Sequence, residues 1–253
     1  MPISRTQKIA GFAVLMAIFL VMISLAAPSQ ISTRRLSSDE NPRLMGAVFD
    51  TEKSGRPGIL ILHGSAGLLP HYREWATRLS RAGFVTLLVD LNADTGSPAA
   101  GSEDRFKYWP VWQAVANRGL AWLRNHPKVD AARIGVIGFS RGAWIALTTP
   151  LRDIRAFVNL YGVGKQSLDK GWDPMPPTLM FYGGRDQWAS ADFIARLEST
   201  LKGRSRSVST VIYPEAGHGF TLQREPMPGA DSEAAEDAWQ RILAFLEQTL
   251  GPI

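Results

Sequence analysis

The stretch RIGVIGFSRGAWIALTT, residues 133–149, decides the fold. Its first part, RIGVIGF, is apolar and typical of a buried strand, whereas its last part, AWIALTT, is compatible with a helix. Between them Gly138, Ser140 and Gly142 form a GxSxG pattern. A serine in a sharp strand-to-helix turn needs glycine two residues to either side, because strand and helix must approach without a side-chain clash. The context therefore predicts a nucleophilic Ser140, and a serine that only caps the helix is the alternative.

Short apolar runs alternate with amphipathic ones on both sides of this stretch. The runs typical of buried strands are 58–64, 84–90, 133–140, 154–162, 178–184 and 207–214. The helical stretches are 71–83, 111–126, 141–149, 191–203 and 231–250. Strands and helices that alternate at this spacing predict an α/β fold with a mostly parallel central sheet flanked by helices. In such folds the functional groups lie at the carboxyl ends of the strands.

A serine hydroxyl is a weak nucleophile at neutral pH, so a base must lie within hydrogen-bond reach of it. The chain has four histidines. His218, in EAGHGF directly after the last predicted strand, is the candidate base. Structural or solvated positions suit the other three better: His63, His71 and His126.

The base needs a carboxylate on its other ring nitrogen, which fixes the tautomer and stabilises the imidazolium that forms. Asp186 follows TLMFYGGR at the end of the penultimate predicted strand. The chain order Ser140, Asp186, His218 is the order of α/β hydrolases. An aspartate that only stabilises its own turn is the alternative. Three other carboxylates fit the position less well: Asp90, Asp173 and Glu215.

The oxyanion of a tetrahedral intermediate requires two preorganised backbone N–H donors. We expect one from Arg141, directly after the candidate nucleophile, and the other from Ser65 in the sequence HGSAG, residues 63–67. A tight glycine turn without a further role is the alternative for HGSAG.

Two connections, 91–110 and 163–177, are longer than their strands require, and both leave the carboxyl edge, where they would border a site. The chain has eight tryptophans, of which five lie in or near these loops and the GxSxG turn: Trp109, Trp112, Trp144, Trp172 and Trp188. We name Trp188 as a substrate-binding residue. Packing in the core is the alternative for any single tryptophan.

With 253 residues the chain is long enough for one large α/β domain. The formal net charge is +5, of which Arg5 and Lys8 contribute two, leaving +3 for the rest. This small excess, without a basic stripe interleaved with aromatics, gives no indication of nucleic-acid binding. The chain has no cysteine, which excludes a cysteine nucleophile, disulfides, a thiolate metal site and a lipoprotein anchor on cysteine.

Residues 1–27 differ in composition from the rest, with a basic start and an uncharged run over 9–27. They are typical of a cleaved signal peptide or of a retained anchor, since the run is close to the roughly 20 residues that span a bilayer. We expect an exported protein, periplasmic or extracellular, or one attached to the membrane through residues 9–27. A linker, 28–45, then precedes the predicted domain, 46–253. A mass spectrum of the exported protein with Met1 intact would contradict cleavage.

From about residue 45 to 250 the chain resembles the dienelactone hydrolase family. The resemblance lies in ILHGSAG, GFSRGAW, YGGRDQWAS and AGHGFTLQRE, followed by AEDAWQRILAFLEQTL. It implies an α/β-hydrolase fold without a large lid domain, and neither a metal nor an organic cofactor. Family members of that name use a cysteine where this chain has Ser140, and many relatives carry serine.

Together these features predict a hydrolase that cleaves a small-molecule carboxylic ester or lactone through an acyl-enzyme on Ser140. Two alternatives stay open. The same three residues can serve an amide or peptide hydrolase or an acyltransferase, because the pocket selects leaving group and acceptor. A non-catalytic envelope protein that binds ligands with the same fold would instead have an unreactive Ser140.

Overall fold

The six apolar runs predicted as strands all form strands of one sheet. They are observed in a computed structural model that describes residues 32–35, 46–50, 53–95, 105–164, 174–205, 207–222 and 229–253. The six strands are β3 (Arg56–Leu62), β4 (Val85–Val89), β5 (Val129–Phe139), β6 (Ala156–Leu160), β7 (Thr178–Gly183) and β8 (Val208–Tyr213).

Two further strands extend the sheet on one side and were not predicted. They are β1 (Ser32–Arg35) and β2 (Gly46–Asp50). β2 pairs antiparallel with β4, and β1 pairs antiparallel with β2 as the outermost strand. The four residues of β1 lie within the segment 28–45 that the sequence predicts as a linker, so this part of it is an edge strand.

The strand order places the end of β5 at the centre of the sheet. The order is β1-β2-β4-β3-β5-β6-β7-β8, and all pairs from β4 to β8 are parallel. The chain leaves β3 for β4 on one side and returns to β5 on the other. A topological switch point therefore lies between the carboxyl ends of β3 and β5, the place where open α/β sheets form their sites.

In the described part of the chain five helices pack against the sheet, at the places that the sequence predicts. They are α1 (Pro70–Arg81), α2 (Arg105–Arg124), α3 (Arg141–Thr148), α4 (Ala191–Lys202) and α5 (Gly229–Leu250). α2 contacts β3, β4 and β5, while α5 contacts β5, β6 and β7. The predicted loop 91–110 is partly wrong, because α2 already begins at Arg105 and includes Pro110 in its second turn.

Burial follows strand position. β4, β6 and β7 are buried along their whole length, and the last six residues of β5 are buried as well. In β8 four residues are half-buried and two are exposed. The prediction of a buried strand is therefore wrong for β8, which is an edge strand with only one neighbour in the sheet.

Several predicted features fall outside the described residues. They are the apolar segment 9–27, residues 96–104 of the first long connection, and residues 165–173 of the second, with Trp172 among them. Within the ranges that the structure does describe, none of the helices combines the length and the apolar character needed to cross a membrane.

Candidate active site

Ser140 occupies a strained turn between β5 and α3. Its backbone angles are φ 49° and ψ −113°, a region that residues other than glycine seldom adopt. The Ser140 N–H donates to the carbonyl of Leu160 at 2.8 Å, and its own carbonyl accepts the Trp144 N–H at 3.0 Å. Strain of this kind costs about 1–3 kcal/mol and persists only where the surrounding structure holds it. The turn thus holds the serine where β5 ends and α3 begins.

The two glycines of the motif are required by close backbone contacts. A Cβ atom on Gly138 would lie 2.4 Å from the Cα atom of Ala143, at the start of α3. A Cβ atom on Gly142 would lie 2.1 Å from the carbonyl oxygen of Leu62, at the end of β3. The helix therefore packs directly on backbone at both positions, as the sequence predicts for a serine in this type of turn.

Substitution of Gly142 by alanine is expected to destabilise the fold strongly. The new methyl group would meet backbone atoms of Leu62 and His63, which cannot rotate away as a flexible side chain could. Overpacking against backbone costs about 3 kcal/mol. For a chain of this size we expect a melting temperature lower by roughly 10 °C, measured by circular dichroism.

Gly203→Ala is the matched control for this substitution. Gly203 caps α4 with φ −75°, and only the Thr200 carbonyl, at 3.4 Å, lies within 4 Å of its added Cβ. The melting temperature of this variant should stay within about 3 °C of wild type. Equal melting temperatures for both variants would contradict the close contact between α3 and β3.

The three residues predicted as a triad are joined by hydrogen bonds. Ser140 Oγ lies 2.9 Å from Nε2 of His218, and Nδ1 of His218 lies 2.7 Å from Oδ2 of Asp186. The Asp186 carboxylate accepts, so the ring proton resides on Nδ1 and Nε2 is free to accept the Ser140 hydroxyl proton. The Asp186 side chain is fully buried, and that of His218 is 25% exposed. The imidazole can therefore reach substrate while its partner stays shielded from water.

Asp186 is held by the turn that follows β7. Its Oδ1 atom accepts the N–H of Trp188 at 2.8 Å. A Cβ atom on Gly183 would lie 2.3 Å from the Ala216 carbonyl oxygen, so the absence of a side chain there lets the turns after β7 and β8 meet. The Trp188 side chain is 65% exposed, and its predicted contact with substrate stays a prediction.

Tyr161 packs against His218, a contact that the sequence did not predict. It directly follows β6 with φ 45°, an unusual conformation for a bulky residue. Its ring is edge-on to the imidazole of His218 with centroids 5.0 Å apart, and its hydroxyl lies 2.8 Å from Oγ1 of Thr221. Its position directly after a buried strand indicates a place at the carboxyl edge of the sheet. Its contact with His218, however, depends on the tertiary fold.

The HGSAG loop lies against the candidate nucleophile. A Cβ atom on Gly64 would lie 3.5 Å from Cβ of Ser140, which places this backbone beside the serine. The Gly64 N–H donates to the hydroxyl of Tyr72 at 3.0 Å. Among the described residues, neither the Ser65 N–H nor the Arg141 N–H has a hydrogen-bond acceptor. Both amides predicted as oxyanion donors therefore have no acceptor in the part of the chain that the structure describes.

The side chain of Arg141 is buried beneath this loop. Its Nη2 atom donates to the Gly64 carbonyl at 3.2 Å and to Oδ1 of Asn92 at 2.9 Å. The guanidinium carbon lies 4.2 Å from the ring centroid of Trp112. Burial lowers the pKa of Arg141 to about 10, so the side chain is still charged at neutral pH. Sequence reasoning assigned a role only to its amide.

His63 takes a structural position, as the sequence predicts. It is fully buried, and the Leu91 N–H donates to its Nε2 atom at 2.9 Å. An amide N–H can only donate, so Nδ1 carries the ring proton and donates to the Gly64 carbonyl at 2.7 Å. Asp90 lies 3.3 Å from the same Nε2 atom and so belongs to the surroundings of His63.

The tryptophans nearest the GxSxG turn belong largely to the core. Trp112 is fully buried and Trp144 nearly so, and the rings of Trp109 and Trp144 lie 4.2 Å apart. Over the described stretches of the chain, no group of three His, Asp or Glu residues is placed to hold a metal ion.

Comparison with known proteins identifies the family. Residues 44–250 match the dienelactone hydrolase family. A protein of Methylorubrum extorquens named "Putative carboxymethylenebutenolidase" is 28% identical over 76% of this chain and 72% of its own length. A protein of a Bradyrhizobium species named "Probable 2-oxo-3-(5-oxofuran-2-ylidene)propanoate lactonase" is 26% identical over 75% of this chain and 83% of its own length.

Solved structures agree on the fold. A "Putative Dienelactone Hydrolase" from Klebsiella pneumoniae superposes with a TM-score of 0.71 at 24% identity, covering 87% of this chain and 99% of that one. A dienelactone hydrolase from Anabaena variabilis gives a TM-score of 0.64 at 24% identity, covering 88% and 100%. The fold is thus an α/β-hydrolase fold, and the chain belongs to the dienelactone hydrolase family.

Proposed function

We propose that the protein hydrolyses a small-molecule carboxylic ester or lactone through an acyl-enzyme on Ser140, with His218 as base and Asp186 as its orienting carboxylate. The observation that carries the proposal is the hydrogen-bond chain from Ser140 Oγ to Nε2 of His218, at 2.9 Å, and from Nδ1 to Asp186 Oδ2, at 2.7 Å. This arrangement is the one that activates a serine hydroxyl at neutral pH.

The reaction class follows from the family. A member of the dienelactone hydrolase family is a hydrolase that acts on esters or lactones. The names of two relatives, a carboxymethylenebutenolidase and a lactonase, refer to cyclic esters. For this chain we propose a substrate whose reactive carbonyl is an ester, either open or closed into a lactone ring.

In the first half-reaction Ser140 Oγ forms a bond to the carbonyl carbon while its proton moves to Nε2 of His218. The carbonyl electron pair shifts to the oxygen, giving a tetrahedral oxyanion. When this collapses, the leaving alkoxide takes the proton from His218 and departs as an alcohol, or stays attached if the substrate is a lactone. Water then attacks the acyl-enzyme, giving its proton to His218, and the acid is released as Ser140 regains its proton.

The amides of Ser65 and Arg141 are the donors we propose for the oxyanion. Ser65 follows β3 and Arg141 begins α3, so the two amides flank the switch point beside Ser140. Neither is engaged elsewhere among the described residues. The N-terminus of α3 adds a favourable dipole for negative charge at this position.

Pre-steady-state kinetics with p-nitrophenyl esters of increasing acyl length test this proposal. We expect a burst of p-nitrophenol close to one equivalent per active site when acylation outpaces deacylation, followed by linear turnover. The protein should also open a six-membered lactone, measured by the acid that is released. This reaction should depend on Ser140 in the same way.

The outcomes of this test separate the alternatives. Rapid acyl transfer to an added amine or alcohol, with little acid formed, would favour an acyltransferase. Turnover of anilides at rates comparable to esters would favour an amide hydrolase. If the correctly folded protein consumed none of these substrates, the proposed hydrolysis would be contradicted.

A further inference from the structure

The charge on Arg141 lies in a place where it is costly to keep. The residue is only 7% exposed, and its side chain forms no ion pair with any carboxylate in the described part of the chain. Its hydrogen-bond acceptors are neutral, the Gly64 carbonyl oxygen and Oδ1 of Asn92. The Asp90 carboxylate stabilises the charge of Arg141 from a distance, without direct contact. A buried charge without a directly paired carboxylate contributes little to stability, and an apolar residue of similar volume often serves as well. Its position therefore requires another explanation.

The carbonyl that Arg141 contacts belongs to the peptide bond between Gly64 and Ser65. In a trans peptide the C=O and N–H groups point in opposite directions, so an anchor on the oxygen sets the direction of the nitrogen. The same oxygen accepts the Nδ1–H of His63 at 2.7 Å. Two donors, one of them charged, thus hold the peptide whose N–H is the proposed Ser65 oxyanion donor.

The guanidinium is held at one nitrogen and by one aromatic ring, while its buried Nε and Nη1 atoms have no hydrogen-bond partner among the described residues. Nη2 is shared between Gly64 and Asn92, which is 3% exposed, and the indole of Trp112 lies under the guanidinium plane at 4.2 Å. Tyr72 holds the preceding peptide by accepting the Gly64 N–H at 3.0 Å. The loop beside Ser140 is therefore held at both the Gly64 N–H and the Gly64 carbonyl.

We infer that the side chain of Arg141 is a positioning residue for the oxyanion site, which acts by holding and polarising the Gly64–Ser65 peptide from its carbonyl side. A positive donor on the carbonyl oxygen draws electron density from the amide nitrogen, so the Ser65 N–H becomes a stronger donor to the oxyanion. Arg141 then contributes to both halves of the site: its own N–H acts directly, and its side chain acts through Ser65. This inference rests on the proposed function.

The variant Arg141→Met tests this role, because it keeps the backbone amide and an unbranched side chain of similar length but removes the charge. Loss of a whole oxyanion donor costs about 10²–10³-fold in kcat, and we expect about tenfold for a donor that is only weakened. KM for a p-nitrophenyl ester should change by less than about threefold, since the oxyanion forms only in the transition state. The melting temperature should stay within about 5 °C of wild type.

Comparison of an ester with its thionoester isolates the oxyanion contact. The sulfur of a thionoester accepts hydrogen bonds poorly, so its cleavage depends less on the oxyanion donors. We expect Arg141→Met to lower the ratio of ester to thionoester rates by about tenfold, because mainly the ester loses stabilisation. Arg141→Lys, which retains a positive donor, should restore part of the ratio.

Arg133→Met is the matched control. Arg133 lies in β5, in the half away from Ser140, and its guanidinium donates to the carbonyls of Pro252, at 2.8 Å, and Gly55, at 2.6 Å. Its removal should leave both kcat and the rate ratio unchanged. If Arg141→Met fails to fold, Asn92→Ala loosens the same guanidinium and should lower the ratio by about threefold.

A fall of ester and thionoester rates by the same factor, or an unchanged kcat, would overturn the inference while the proposed function stands. A wild-type protein that cleaves neither ester would contradict the proposed function itself, together with this role of Arg141.

Discussion

Replacement of Ser140 by alanine is expected to lower kcat for ester hydrolysis by on the order of 10⁶-fold. The substitution removes the atom that forms the covalent bond. It leaves His218, whose Nε2 lies 2.9 Å from this oxygen and whose Nδ1 is held by Asp186, without a hydroxyl to activate. Single-turnover assays with a purified variant measure the remaining rate.

The fold of Ser140→Ala should be intact, because the side chain makes no contact that the core depends on and alanine has the same backbone preferences. Ser209→Ala is the control: it removes a hydroxyl from an exposed residue of β8 and should leave kcat unchanged. Residual hydrolysis at more than about a hundredth of the wild-type rate would show that another group is the nucleophile.

Asp186→Asn is expected to lower kcat by about 10⁴-fold with little effect on the fold. The carboxylate now accepts the Nδ1–H of His218 at 2.7 Å and so leaves Nε2 unprotonated. An asparagine amide can donate to Nδ1, which favours the tautomer with its proton on Nε2, and this nitrogen can no longer accept the proton of Ser140. The measurement is kcat against pH for both proteins.

Asp130→Asn is the control for a lost carboxylate. Asp130 forms an ion pair with Arg133 at 3.0 Å in the half of β5 away from Ser140. Its substitution should leave kcat unchanged. If Asp186→Asn retained wild-type kcat across the pH range, Asp186 would be a turn aspartate and the tautomer of His218 would be set by another group.

Secondary structure that arises from local patterns could be predicted well from this sequence. The runs that become β4, β6 and β7 are largely apolar because these strands are buried along their whole length. β1 and β2 have only four and five residues, too few for a clear pattern. They form through antiparallel pairing, β2 with β4 and β1 with β2. α2 was predicted to begin at 111, after Pro110, because a proline inside a helix removes one of its hydrogen bonds. The helix nevertheless begins at Arg105 and includes Pro110 as its sixth residue.

In the candidate site, too, some features follow from local sequence and others only from tertiary contacts. Ser140, Asp186 and His218 each follow a strand, so parallel strands bring them to one edge, and their order in the chain was enough to select them. The side-chain contacts of Arg141 with Gly64 and Asn92 were not predictable, because these residues follow β5, β3 and β4 and meet only in the folded sheet. A charged residue next to the nucleophile is normally read as exposed, and only the tertiary structure shows that it is buried.

The central claim is that Ser140 is an activated nucleophile, and labelling by a fluorophosphonate probe followed by peptide mass spectrometry tests it most directly. The wild-type protein should carry the probe on Ser140, and the label should vanish in both Ser140→Ala and His218→Ala. Failure of the folded wild-type protein to react, or label on another residue, would contradict the claim and favour a protein that keeps this fold for binding.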